Sequence, residues 1–166
     1  EGGIGMAVAE ESVAAAQGSA EESSPKAPEK KVVKKEPEPP KDFASAVRLS
    51  EAGKPKEALA FLQDLAEKEF SNAEVWRELG IACFRVDQFE EAVEPLGKAA
   101  QLNPQDAKSW FYLGAAYRAA KRPWDAEGAY KKVLEVDPNH KEAPDDLKGV
   151  RIALAILCAR GEYKVA

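Results

Sequence analysis

The chain has 166 residues, with 24 Lys and Arg against 29 Asp and Glu, one His, two Cys and 11 Pro. That length suits one domain, two at most, and a formal charge of −5 excludes a broadly basic nucleic-acid binder. Thr is absent and Ala abundant, which favours helix over strand; no apolar run approaches the roughly 18 residues of a membrane span, and a single His removes most His-dependent catalysis.

Residues 1–38 read as a disordered tail and linker. Glu1–Gly5 precede the only Met and lack the basic start and long apolar run of a signal peptide. Met6–Gln17 is rich in Ala and includes Glu10 and Glu11, a short helix that is marginal in isolation. From Ser23 to Pro40 the chain is mostly Pro, Lys and Glu, with no aromatic and no Leu before Phe43 and Leu49. Such a segment cannot bury enough surface to offset chain entropy, so it is expected to be an extended, solvated spacer. Its composition is similar to the Lys-Pro and Glu-Pro spacers beside bacterial membrane anchors. Two locations are therefore expected: cytoplasmic, or periplasmic or membrane-tethered behind an anchor.

From residue 39 the chain repeats itself at a step of 34. Trp76-x-x-Leu79-Gly80 recurs as Trp110-x-x-Leu113-Gly114, Ala92 as Ala126, and Pro104 as Pro138; one step back, Ala58 and Leu62 match Ala92 and Leu96. Within each unit apolar residues fall at helical spacing with one break in the middle, as in Trp76, Leu79, Cys83 and then Phe89, Ala92, Val93, Leu96. That predicts two amphipathic helices per unit, in repeats of about 39–72, 73–106 and 107–140. Gly53-Lys54-Pro55, Asp87-Gln88 and Arg122-Pro123 break the helices of a pair; Asn103-Pro104 and Asp137-Pro138 end the second helices. Ser71 and Glu74 stand at capping-box spacing and predict a helix start at Ser71.

A 34-residue unit with Trp, Leu-Gly, Tyr, Ala, an aromatic and a closing Pro in that order resembles the tetratricopeptide repeat family. The third unit has Trp110, Leu113, Gly114, Tyr117, Ala126, Tyr130 and Pro138. The second departs by Cys83 for the first Tyr and Leu96 for the later aromatic. The first keeps Leu49, Gly53, Ala58 and Leu62, and has Phe70 where the Pro belongs. The resemblance covers residues 39–166. It implies an all-α, right-handed superhelical solenoid of three helix-turn-helix repeats plus a C-terminal helix.

Beyond Pro138 the step breaks, because Pro144 stands where Trp is due, and the pattern resumes six residues late: Leu157–Ala166 aligns with Cys83–Ala92. A fourth first helix, about 144–160, is thus expected after a longer loop carrying His140, Asp145 and Asp146, with His140 solvated. Ala153–Ala159 is wholly apolar. One face is expected to pack on the third unit. The other belongs either to a piece of a longer repeat protein or to an edge (Leu154, Ile156, Leu157) that pairs with a second copy or another protein.

No catalytic, cofactor or metal constellation emerges. There is no phosphate-loop motif, no C-x-x-C and no H-E-x-x-H, and the stretch from Asp137 to Asp146 lacks the central Gly and terminal Glu of a calcium loop. Cys83 is expected to be a small core residue, and Cys158 more reachable.

The resemblance implies that the first helix of each pair lines a concave groove that holds a peptide or amphipathic helix of a partner protein. The family's groove positions fall on Phe43 and Val47; on Arg77, Glu78, Ile81, Phe84 and Arg85; and on Lys108, Phe111, Tyr112, Ala115 and Arg118. In the shifted fourth unit they fall on Lys148, Arg151, Ile152, Ala155 and Cys158. Family members that clamp the terminal carboxylates of Hsp70 and Hsp90 use Lys, Asn and Arg at positions occupied here by Phe43, Val47, Glu78, Lys108 and Tyr112. Only Lys108 agrees. The expected function is a non-enzymatic protein-interaction scaffold or adaptor; the alternatives are a recognition or assembly domain of a larger enzyme or secretion machine and, with less support, an Hsp70/Hsp90 co-chaperone.

Overall fold

The computed structural model describes residues 41–162. The tail, the linker and the Met6–Gln17 helix lie outside that range, as do Tyr163–Ala166. Among the described residues there are seven helices and no strand: α1 (Phe43–Glu51), α2 (Pro55–Lys68), α3 (Ala73–Arg85), α4 (Phe89–Leu102), α5 (Ala107–Ala119), α6 (Pro123–Val136) and α7 (Ala143–Ala159). None is long and apolar enough to cross a membrane.

Each helix packs on the next in chain order. In addition α1 touches α3 and α3 touches α5, so the first helices of successive pairs form one continuous face. A helix pair with one apolar side cannot bury it alone, so stability comes from this stacking. Ala46, Leu62, Val75, Ile81, Leu96 and Leu113 belong to one apolar cluster, and Tyr130, Val133, Leu147, Val150 and Leu154 to a second around α6 and α7. Gly80 and Gly114 are small because their pairs close tightly. A Cβ at Gly114 would come within 3.0 Å of the Tyr130 ring, and one at Gly80 would run into Leu96.

The 34-residue step is written into the backbone. Gly53, Asp87 and Lys121 adopt left-handed φ values of 81°, 63° and 59° at the turn inside each pair. The following N–H reaches back five residues in each case: Lys54 to Leu49, Gln88 to Cys83 and Arg122 to Tyr117, at 2.8–3.0 Å. This is the Schellman way of ending a helix. Between pairs, the indole of Trp76 donates to the Phe70 carbonyl at 2.8 Å, and that of Trp110 to the Pro104 carbonyl at 3.0 Å. The contact uses a main-chain oxygen, which is why Phe70 can stand where the other units have Pro.

Three expectations need correction. The cap of α3 is Asn72, not Ser71: its Oδ1 accepts from the Glu74 N–H at 3.0 Å, and Glu74 sits in the first turn as a main-chain donor. Asp106 caps α5 the same way through the Lys108 N–H at 3.2 Å. The same role falls one step on to His140, whose Nδ1 accepts from Glu142 and Ala143 N–H at 3.3 and 3.2 Å. His140 is therefore half-buried and holds the turn that leads into α7, whose own cap position is Glu142, and is not simply solvated; its ring also stacks on Phe111 at 4.8 Å.

The step accordingly does not fail at Pro138. Ala143, Leu147 and Val150 are buried as Ser109, Leu113 and Ala116 are, each 34 residues earlier. The six additional residues are accommodated later: two delay the start of α7 to Ala143, and four lengthen it to 17 residues against 13 in α5. Its end falls back on the shifted pattern: Gly161 takes φ 71°, and the Glu162 N–H reaches the Leu157 carbonyl at 3.1 Å. Asp145 and Asp146 consequently lie in the first turn of a helix, where the dipole favours acids, and not in a loop.

Candidate partner-binding groove

The face shared by α1, α3 and α5 carries most of the residues picked out by spacing, but not in one role. Ile81 is 1% exposed and Ala115 6%; Ile81 is part of the core and offers nothing to a partner. Phe43 and Val47 are half-buried on α1, and Arg85, at the end of α3, is exposed and donates from Nη1 to Ser50 Oγ at 2.9 Å.

The charged residues in the middle of the face are occupied with one another. Glu78 is 3% exposed, and its Oε1 accepts from Arg77 Nε at 3.1 Å and Lys108 Nζ at 3.3 Å. Arg77 Nη1 donates to Asp106 Oδ2 at 3.0 Å, and Ser109 Oγ donates to the same oxygen at 2.6 Å. Burial would lower the Arg77 pKa, yet Asp106 and Glu78 outweigh it and hold the guanidinium above its ordinary value. Burial would likewise raise Asp106, but Ser109, Arg77 and the Lys108 N–H hold its carboxyl below the usual range. A buried carboxylate needs such partners, and here it takes the two cations that a ligand would otherwise meet. Glu78 is thus not a groove-facing charge, as its position suggested. It is a tie between α3 and α5.

Further along, five of the selected residues converge. Phe84, Phe111, Tyr112, Ala115 and Arg118 line an open concavity of about 500 Å³, closed on its far side by Lys141, Glu142, Asp145 and Asp146. The rings form a chain of edge contacts, Phe84 to Tyr112 at 5.9 Å and Tyr112 to Phe111 at 5.8 Å, with Phe111 backed by Tyr130 at 5.9 Å and by the His140 ring. Edge-to-face geometry is the favoured one for aromatic pairs and leaves the rings half exposed to whatever enters. Arg118 Nη1 is held by Asp146 Oδ1 at 2.7 Å, which ties α5 to α7 across the concavity.

The far wall is where spacing misled. The shifted pattern put Lys148, Arg151, Ile152, Ala155 and Cys158 on the groove. The 34-residue step holds at the start of α7, so Glu142, Asp145 and Asp146 occupy the positions of Lys108, Phe111 and Tyr112. Arg151 points instead to Glu127 of α6 at 3.1 Å. The missed signal was the series of caps, Asn72, Asp106 and His140. At the other end, Leu154 is 5% exposed and belongs to the core, so it is unavailable to a docking edge, whereas Ile156 is 47% exposed and Leu157 half-buried. Cys83 is buried, and burial together with Glu91 pushes its thiol up to about 11. Among the described residues no group of three His, Cys, Asp or Glu side chains is placed to hold a metal ion.

Comparison with known proteins fits this geometry. The family model for the tetratricopeptide repeat matches residues 107–140. Cilia- and flagella-associated protein 70 of Homo sapiens is 38% identical over 61 residues, which is 37% of this chain and 5% of that protein. The tetratricopeptide repeat domain-containing protein PYG7, chloroplastic, of Arabidopsis thaliana is 32% identical over 87 residues, 50% of this chain and 29% of that one. The chain therefore spans only a small part of the curated relatives it matches. Among solved structures, the first TPR of Spaghetti (RPAP3) bound to the HSP90 peptide SRMEEVD superposes with a TM-score of 0.65 at 28% identity, covering 68% of this chain and 89% of that one. Stacked helix pairs at a 34-residue step, a family model matching one of them and a tetratricopeptide structural neighbour agree: the described residues adopt the tetratricopeptide repeat fold, a protein-interaction fold, and residues 107–140 carry the family's own signature.

Proposed function

We propose that the face formed by α1, α3, α5 and the first turn of α7 binds an apolar segment or amphipathic helix of a partner protein, anchored in the concavity of Phe84, Phe111, Tyr112, Ala115 and Arg118, with Phe43, Val47 and Arg85 at its other end. The supporting observation is the convergence of these aromatic side chains, half exposed and flanked by Arg118, on one concave site. Aromatic residues and Arg are the types that dominate interface energetics. The module is read as a non-enzymatic scaffold or adaptor. Since the chain corresponds to small parts of much longer relatives, the same module also suits a recognition or assembly domain within a larger enzyme or secretion machine.

The RPAP3 neighbour carries an acidic Hsp90 peptide. A co-chaperone reading of this chain is weakened by Glu78, which pairs with Lys108, the one residue that agrees with the family's carboxylate clamp. The test is calorimetry with two probes on the purified chain: the peptide SRMEEVD and a leucine-striped amphipathic helix of similar length. The helix is expected to bind more tightly, and Phe84→Ala with Arg118→Ala to weaken it at least about tenfold with circular dichroism unchanged. Tighter binding of SRMEEVD by the chain with Glu78 intact would favour the co-chaperone reading instead. Unchanged affinity in the double variant would remove the groove assignment.

A further inference from the structure

Helix α7 has two faces of the same spacing. Ala143, Leu147, Val150 and Leu154 are buried against α6. Asp145, Gly149, Ile152 and Ile156 follow the same steps of four, three and four residues, offset by two, and Arg160 continues them by a further four. At 3.6 residues per turn these five share one side of the helix, opposite the packed side. That side is open: Ile152 is 62% exposed, Ile156 47%, and a Cβ on Gly149 would meet nothing within 4 Å.

The order of chemistry along this side is acid, apolar, base. Asp145 stands at the N-terminal end with its side chain 81% exposed, paired only to the equally solvated Lys148 at 3.0 Å. Arg160 stands at the other end and makes no ion pair among the described residues. Such an order is complementary to itself when reversed. Laid antiparallel about a twofold axis near Ile152, two copies bring Asp145 of each opposite Arg160 of the other, seat Ile156 over the space left by Gly149, and cover Ile152 on both. Opposed helix dipoles favour the same arrangement.

We propose that the open side of α7 is an isologous interface between two copies of this chain, centred on Ile152 and Ile156 and fixed in direction by two Asp145–Arg160 pairs. This does not rest on the groove reading. One helix pair buries less than the roughly 1,200 Å² of total area found in stable complexes, so the dimer is a weak one that builds up with concentration.

Sedimentation equilibrium of the full chain from about 10 μM to about 1 mM covers the range of such an association. The expected result is a mass rising toward twice the monomer. Ile156→Glu is expected to weaken dimerisation at least tenfold. Asp145→Arg and Arg160→Asp alone are each expected to weaken it several-fold, and the two combined to restore it, since the swap keeps every pair opposite in sign. Circular dichroism of each variant checks that α7 remains folded, and Ile152→Ser supplies a second apolar change should Ile156→Glu unfold it. A strict monomer at 1 mM would overturn the proposal. So would a dimer that withstands both isoleucine changes, a charge swap that fails to restore association, or a dimer lost through Phe84→Ala.

Discussion

Helices α5 and α7 begin alike and end differently. Asp106 and His140 accept main-chain N–H groups at their entrances at the same step, and their inner residues bury in the same order. Beyond that point α5 turns back into α6, which closes over Gly114 with the ring of Tyr130. Helix α7 runs on instead, with Leu154 buried and Ile152 and Ile156 left open. The difference shows that a repeat is specified in separate pieces: a cap and a packed stripe decide where a first helix sits, and the left-handed turn decides where it stops.

The largest effect expected from breaking this comparison lies in the core. Leu96, fully buried between α3 and α4, should cost about 2–5 kcal/mol when replaced by Ala, with the whole domain losing stability in a urea titration. Leu154→Ala should fall at the low end of that range, since one side of α7 is free to relax. Stability in stacked repeats is local, so hydrogen exchange should show protection lost in α7 and kept in α3 and α4.

Next in size are the caps. Asn72→Ala, Asp106→Ala and His140→Ala should each cost about 0.5–2 kcal/mol. Asp106 should be the worst of the three, because it also holds Arg77 and Ser109. An indifferent His140→Ala variant would mean that α7 does not depend on the cap that α5 uses.

The smallest effect concerns the thiols. Cys83 is raised by burial and by Glu91 to about 11, so its folded-state value lies above its unfolded one. Its contribution to stability is complete below about pH 9 and is lost as the pH climbs toward 11, because the unfolded chain ionises first. At pH 8 a thiol reagent should label half-buried Cys158 quickly and Cys83 only on unfolding. Fast labelling of both would mean that α3 and α4 open readily.

Much of this was legible in the sequence, for a stated reason. Trp76 and Trp110, Gly80 and Gly114, and Ala92 and Ala126 each answer a packing demand that recurs every 34 residues, so spacing alone exposes the helix pairs. What spacing leaves open is which neighbour a polar side chain chooses. Ser71 and Asn72 are both good caps, and only the backbone decides for Asn72. Pro144 stands where a Trp is due, so by spacing the step breaks at Pro138, whereas the buried residues Ala143, Leu147 and Val150 keep it and the six additional residues fall around and within α7. Glu78 stood at a groove position by count, but its carboxylate turned inward because Arg77 and Lys108 were both within reach. The placement of Phe84, Phe111 and Tyr112 around one concavity was nearer to the surface of the sequence, as all three stand at positions where the family's first helices face the groove, whereas Trp76 and Trp110 stand at its packing positions.

The mutual neutralisation of Arg77, Glu78, Lys108 and Asp106 has a kinetic consequence. A partner approaching this surface meets opposite charges already matched within about 3–4 Å of each other, and so feels little field until it is almost in contact. On the proposed reading of this face as a binding groove, encounter is then expected to be governed by diffusion and shape, near the unsteered rate of about 10⁵–10⁶ M⁻¹s⁻¹, with little response to ionic strength.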